Sequence, residues 1–223
     1  MAKITATNVA TVVSEGHSWI GATWTSLRDA ATGTSIDTSS DGTDLGVNQY
    51  SVRGATFIQI YRVFFEFDTS AISVAPSAAT LQIYGRTNDK AQFYVVRATH
   101  SGAPATSDFD SIHGWDTTSA ADGAGNGDQI GNTTEYSSEV TSWSTSGYND
   151  IALNAAALSR MAADDTFAVC LIESVHDLLD VSETTASITG MYFDDDAGKE
   201  IKIDYTAGAV AVVKNSTFFG ANF

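Results

Sequence analysis

The chain has 223 residues, 43% of them apolar, with 27 acidic against 11 basic side chains and a formal net charge of −16. A field of that sign repels phosphate backbones and anionic bilayer surfaces, which removes direct nucleic-acid and membrane binding from the expected partners. The length suits one large β domain, and with only 2 prolines and no linker-like stretch no internal boundary is marked.

In chain order, Ile4–Val13 is rich in Thr, Val and Ala with weak alternation, and residues 1–16 read as an N-terminal arm or edge strand. Trp19–Trp24 holds two of the four tryptophans, and Ser26–Gly33 reads as a short helical turn or a loop. Asp37–Gly46 is polar and turn-forming, which predicts a surface segment. Phe57–Phe67 is the most apolar run, and its β-branched and aromatic residues favour a largely buried strand. Ala79–Tyr84 resumes after Asp68–Pro76 with Leu81 and Ile83 on one face and Gln82 on the other, so the two runs are expected as a core hairpin. Lys90–Arg97 predicts a further strand.

From His100 to Asn132 small and polar residues dominate, with Phe109, Ile112 and Trp115 as isolated anchors. A stretch of this length reads as a functional surface loop or a contact arm. Tyr148–Leu153 predicts a short strand, and Asn154 is placed to cap a helix over Ala155–Ala162 with Leu158 and Met161 on its apolar edge. Thr166–Glu173, Ala186–Phe193 and Lys199–Tyr205 complete the strand set. In the last, Ile201, Ile203 and Tyr205 alternate with charged residues. Many strands, turns and one helix predict an all-β, antiparallel jelly-roll β-sandwich over residues 17–207, with one short helix and extended terminal arms. Residues 208–223 form a tail bearing Val210, Val212, Phe218, Phe219 and Phe223. Such apolar side chains suit either a strand of the chain's own sheet or a contact with another subunit.

Few residues point to chemistry, and no enzyme is expected. The carboxylate pairs Asp108/Asp110, Asp164/Asp165 and Asp177/Asp180 read as solvated turns, since glycoside hydrolysis needs two carboxylates at a set separation in a cleft. His17, His100, His113 and His176 lack zinc spacing, and neither a nucleophile elbow nor a phosphate-binding glycine loop occurs. The single Cys170 lies in the apolar run Phe167–Ile172 and reads as a small buried hydrophobe. Asp194, Asp195 and Asp196, followed by Ala197-Gly198, are candidate ligands of a structural calcium ion, and no other cofactor is expected. Trp115 and Trp143 sit in or beside polar loops. They are read either as apolar plugs of those loops or as stacking platforms for a carbohydrate. Met1-Ala2-Lys3-Ile4-Thr5 has no apolar core and no cleavage site, so a secretory signal is not expected.

Three segments carry a resemblance. Tyr61-Arg62-Val63-Phe64-Phe65-Glu66-Phe67-Asp68-Thr69-Ser70-Ala71-Ile72 is followed by Ala78-Ala79-Thr80-Leu81-Gln82-Ile83-Tyr84-Gly85. Val140-Thr141-Ser142-Trp143 then precedes Ser146-Gly147-Tyr148-Asn149-Asp150-Ile151-Ala152-Leu153-Asn154, and Ile201–Thr206 closes the series. Together, over about residues 20–206, they resemble the DNRLRE-like jelly-roll proteins, and most of all the branch found as free-standing virion proteins of tailed bacteriophages. The resemblance implies a virion structural protein, made in a host cytoplasm and assembled as a capsid decoration or cement protein on the outside of the head. Its implied partners are the major capsid protein or another virion protein, and copies of itself. Expected contacts are Ile4 and Val9 of the arm and Val210, Val212, Phe218, Phe219 and Phe223 of the tail. The alternative role is a carbohydrate-binding or host-recognition module of a tail or fibre, using Trp115 and Trp143.

Overall fold

A computed structural model describes residues 1–39, 42–90, 92–115, 133–182, 186–193 and 198–209. Its elements are β1 (Ala2–His17), α1 (Trp24–Arg28), β2 (Ser35–Asp37), β3 (Thr43–Val52), β4 (Ala55–Asp68), β5 (Ala78–Asp89) and β6 (Phe93–Arg97). After these come β7 (Tyr148–Ala152), α2 (Ala155–Ala163), β8 (Thr166–Glu173), β9 (Ser187–Met191) and β10 (Lys202–Thr206). Among the described residues every strand pairing is antiparallel, and the fold is an all-β sandwich. No helix among them is long and apolar enough to cross a membrane.

One layer runs in the order β1, β10, β5, β7, using only the first residues of β1 and the first half of β5. The other is centred on β4, which pairs along one edge with the rest of β1. Its other edge is divided between β3 (at Ala55–Tyr61) and β8 (at Val63–Asp68). Two strands therefore change layers, and each does so at an irregularity in register: β1 between Ala6 and Asn8, β5 between Gly85 and Thr87. Extra residues at such corners bend a strand from one sheet into the next. Glycine is required at the second corner, because a Cβ on Gly85 would lie 1.9 Å from the Ser144 carbonyl oxygen. The pairings β1–β10–β5–β9–β3–β4–β1 close into a ring.

Along β4 the period-two rule puts Val63, Phe65 and Phe67 in the inner core with Leu81, Ile83, Val169, Leu171 and Ile203. Ile58, Ile60 and Phe64 point the other way. They meet Trp24, Leu27, Val96, Phe109, Trp115, Cys170 and Leu178 in a second core, roofed by α1 and the segments around residues 98–115 and 174–182. Both faces of β4 are buried from Arg62 to Phe67, which accounts for the unbroken apolar run. Asn154 caps α2, its Oδ1 accepting from the Ala156 and Ala157 amides at 3.0 and 3.2 Å, and Ala157 and Met161 dock on the inner core one turn apart.

Four expectations change. The runs Phe57–Phe67 and Ala79–Tyr84 are not a hairpin: they lie in opposite layers, with residues 69–77 crossing between them. Residues 2–17 are neither arm nor edge but a strand held on both sides by β4, β10 and β2. Ile4 pairs with Ile203, and Ile4 and Val9 both pack on the chain's own inner core. Thr43–Gly46 begins β3 with Leu45 in the core, although the preceding residues are polar. The short helical turn or loop read over Ser26–Gly33 is a helix, α1, that lies two residues earlier and is started by a capping box between Thr23 and Ser26.

Candidate functional site

The layers differ in length, and the difference creates an open face. β4 spans 14 residues, whereas its inner-core contacts begin at Val63. Its first half, with the paired parts of β1 and β3, carries residues of inner parity that the opposite layer leaves partly exposed. Two cross-strand rows lie there. Glu15, Gln59 and Asn48 form a polar row, with Gln59 Nε2 donating to Glu15 Oε2 at 2.6 Å and Asn48 Nδ2 donating to Gln59 Oε1 at 3.1 Å. His17, Phe57 and Tyr50 form an aromatic row, with ring centroids 4.3 Å and 5.3 Å apart, and Trp19 packs on His17 at 4.7 Å. Trp19 is 57% exposed, Ile20 74% and Tyr50 44%, so this end presents a continuous aromatic and aliphatic surface to solvent.

Gly46 makes this arrangement possible. Its φ of +124° is a glycine conformation, and at this residue the strand changes which core it faces while its register against β9 stays unbroken. Leu45 points into the inner core and Val47 into the outer one, while Asn48 and Tyr50 join Gln59 and Phe57. Beside the polar row lies a cleft of about 220 Å³ lined by Thr11, Glu15, Asp44, Gln59, Tyr61 and Arg86. Arg86 is paired with Asp44 at 2.7 Å. Burial and the nearby Asp44 and Glu15 carboxylates push the Tyr61 phenol upward, so it stays a neutral donor there.

The outer core has a polar centre. Arg62 is fully buried, and its Nε and Nη2 donate to the two carboxylate oxygens of buried Asp177 at 2.8 and 2.7 Å. Further bonds reach the carbonyls of Phe109 at 2.8 Å and Arg28 at 3.0 Å, and the guanidinium stacks on Phe109 and Trp115 at 4.0 and 4.2 Å. Arg28 Nε donates to the Asp177 carbonyl at 2.5 Å, and Trp24 Nε1 to Asp180 Oδ1 at 2.8 Å. This cluster pins three roof segments to the sheet.

The residues expected to act fall as follows. Trp115 and Trp143 are each only 7% exposed: Trp115 covers the two arginines, and Trp143 packs against Phe93 with its Nε1 donating to the Gly190 carbonyl at 3.1 Å. Neither offers a ring face for a sugar, because each plugs a core. The exposed indole among the described residues is Trp19, which the sequence shows only as one of a pair. Asp177 and Asp180 are tied into the Arg62 centre, and Asp108 accepts from the Ala105 amide and the Ser111 hydroxyl in its turn. Cys170 is buried, and burial raises its thiol pKa well above the usual value, which disfavours the thiolate. Asp194, Asp195 and Asp196, and Val210, Val212, Phe218, Phe219 and Phe223, lie outside the described residues. Among the described residues no three potential ligands converge on a metal position.

No family model matches the chain, and no curated protein matches it.

Proposed function

We propose that this protein is a structural component of a tailed-bacteriophage virion, a decoration or cement protein on the outside of the head, and that it meets the major capsid protein or another virion protein through the open face. The resemblance over about residues 20–206 supports the setting. The observation that carries the docking role is the exposed Trp19, Ile20 and Tyr50 surface, set at one end of an otherwise strongly acidic chain. Aromatic anchors ringed by polar groups are the usual energetic centre of a protein interface. The contact thereby moves from Ile4 and Val9, which pack on the chain's own core, to the tip of the β3–β4 hairpin and the turn after β1.

The test uses Trp19→Ala combined with Ile20→Ser, two exposed positions whose change leaves both cores intact. Purified particles of the source phage are expected to contain the wild-type chain, and the double variant is expected to co-sediment with chain-free particles at least roughly tenfold less. Particles that lack the chain, or equal binding by the variant, would overturn the proposal.

The Glu15–Gln59–Asn48 row beside the aromatic row favours a second reading, a carbohydrate-binding or host-recognition module. Planar amides and carboxylates next to an exposed indole suit sugar hydroxyls and ring faces. Glycan-array binding lost in both Trp19→Ala and Gln59→Ala would select this reading over the first.

A further inference from the structure

A second cleft, distinct from the open face, lies where β6 ends and α2 meets β8; its volume is about 260 Å³. Glu66 reaches it from the outer parity of β4, flanking Phe64 on the opposite side from Arg62. Arg97 follows the inner parity of β6 after Phe93 and Val95, and Arg160 and Asp164 come from the end of α2. Tyr136, stacked on Phe167 at 5.2 Å, closes the inner side, and His100 lies edge-on to Phe64 at 5.4 Å.

Most of these groups are satisfied internally. Glu66 Oε1 accepts from the Gly102 amide at 3.0 Å and Oε2 from the Asn8 side chain, while Arg160 is ion-paired with Asp164. Two are not. Among the described residues Arg97 makes no ion pair, in a chain that holds 27 carboxylates. His100 is 6% exposed, and among the described residues neither of its ring nitrogens has a hydrogen-bond partner. A buried polar group left unpaired is costly, so a partner from outside the chain is favoured.

We propose that this cleft binds a small carboxylate, with the Arg97 guanidinium taking the carboxylate oxygens and the His100 ring completing the contact. The ligand is small because the cleft falls below the roughly 300–1,000 Å³ of sites for drug-sized molecules. It is a monoanion because the cleft also holds the Glu66 and Asp164 carboxylates, which would repel a phosphate dianion more strongly. Burial lowers the His100 pKa below its usual value, so at pH 7 the ring is neutral and offers one donor and one acceptor, which suits an α-hydroxy carboxylate or a sugar acid. The Tyr136 phenol, held at about 12 by burial, remains a donor.

The full chain titrated with glucuronate, acetate, glucose and phosphate tests this, read by the His100 ring signals in NMR and by calorimetry. Glucuronate and acetate are expected to shift the His100 signals saturably with millimolar dissociation constants, and glucose is not. Arg97→Gln, at a half-buried position, should weaken binding about tenfold or more, with Arg97→Lys intermediate because it keeps the charge but loses the planar fork. Circular dichroism confirms that each variant is folded. The proposal is overturned if neither carboxylate gives a saturable shift up to about 50 mM, if Arg97→Gln binds as tightly as wild type, or if phosphate alone binds. It is independent of the docking face, since no residue is shared between the two.

Discussion

Replacing Asp177 with Leu removes the only carboxylate that meets the Arg62 guanidinium among their described contacts, and it does so where both side chains have essentially no solvent exposure. Two charge-assisted bonds of 2.7 and 2.8 Å are lost, and the described contacts left to the cation are two carbonyls and two ring faces. Breaking a buried pair from one side costs about 3–5 kcal/mol, because the remaining charge cannot reach water. For a chain of this size each kcal/mol moves the melting temperature by about 2–4 °C, so a loss of about 6–20 °C is expected in calorimetry. Arg62→Met should cost a similar amount. The double variant Arg62→Met/Asp177→Leu should cost less than either single, since no charge is then stranded, although the Phe109 and Arg28 carbonyls lose their donor. Additive losses in the double variant, or an Asp177→Leu protein within about 1 kcal/mol of wild type, would refute the reasoning.

Glu173 gives a pH-dependent counterpart. Burial raises its pKa above the usual 4.5, with partial relief from the His176 and Asp177 amides, and among the described residues its Oε1 has no hydrogen-bond partner. The folded state therefore holds this proton more tightly than the unfolded state, and stability falls as pH rises from the unfolded value through the folded one. Glu173→Gln is expected to melt higher than wild type at pH 8, with the gap closing toward pH 4.5; a gap independent of pH would count against it. Gly46→Ala should cost about 1–3 kcal/mol in denaturant titrations, because φ is +124° and a Cβ would sit 2.0 Å from the Ser187 carbonyl oxygen. A midpoint matching that of wild type would mean that the glycine conformation at this position is not needed to aim Asn48 and Tyr50.

Local patterns in the sequence carry local structure faithfully. Asn154 announces α2 because a side chain that caps an amide acts within three residues, and β8 spans Thr166–Glu173, as its apolar run indicates. Alternation also places Leu81, Ile83, Ile201 and Ile203 in the core. It says which face of a strand is buried but not which neighbour buries it, so β4 and β5 look like a hairpin although they face each other across the core. For the same reason β1 reads as an arm: its Thr-rich alternation is weak, and its strength comes from a ladder running from Ala6 to His17 against Phe67 to Phe57. The candidate surfaces are harder still. Trp19 and Trp24 are close in sequence, yet one is exposed and the other buried on Asp180, a difference set by the end of the opposite layer. Arg97 and His100 become notable only when Glu66, 31 residues earlier than Arg97, is found to be satisfied by Asn8 and Gly102.

Both candidate surfaces follow from the unequal covering of β4. Between Arg62 and Phe67 the strand is sealed on both faces, by the opposite layer on one side and the roof on the other, so those residues are committed to stability. Toward Phe57 the opposite layer has ended and the inner face opens, which frees His17, Phe57 and Tyr50 for a partner. Toward Asp68 the roof thins, and Glu66 borders a polar cleft instead of an apolar roof. Burial along a single strand thus separates the residues that hold the fold from those left accessible. The separation also explains how the protein can present an exposed aromatic end without loosening its core: Phe57 lies six residues, three full inner-face steps, from Val63, where the inner core begins. Changes at the β3–β4 tip can therefore alter the exposed surface while the ring of pairings that closes the sandwich stays as it is.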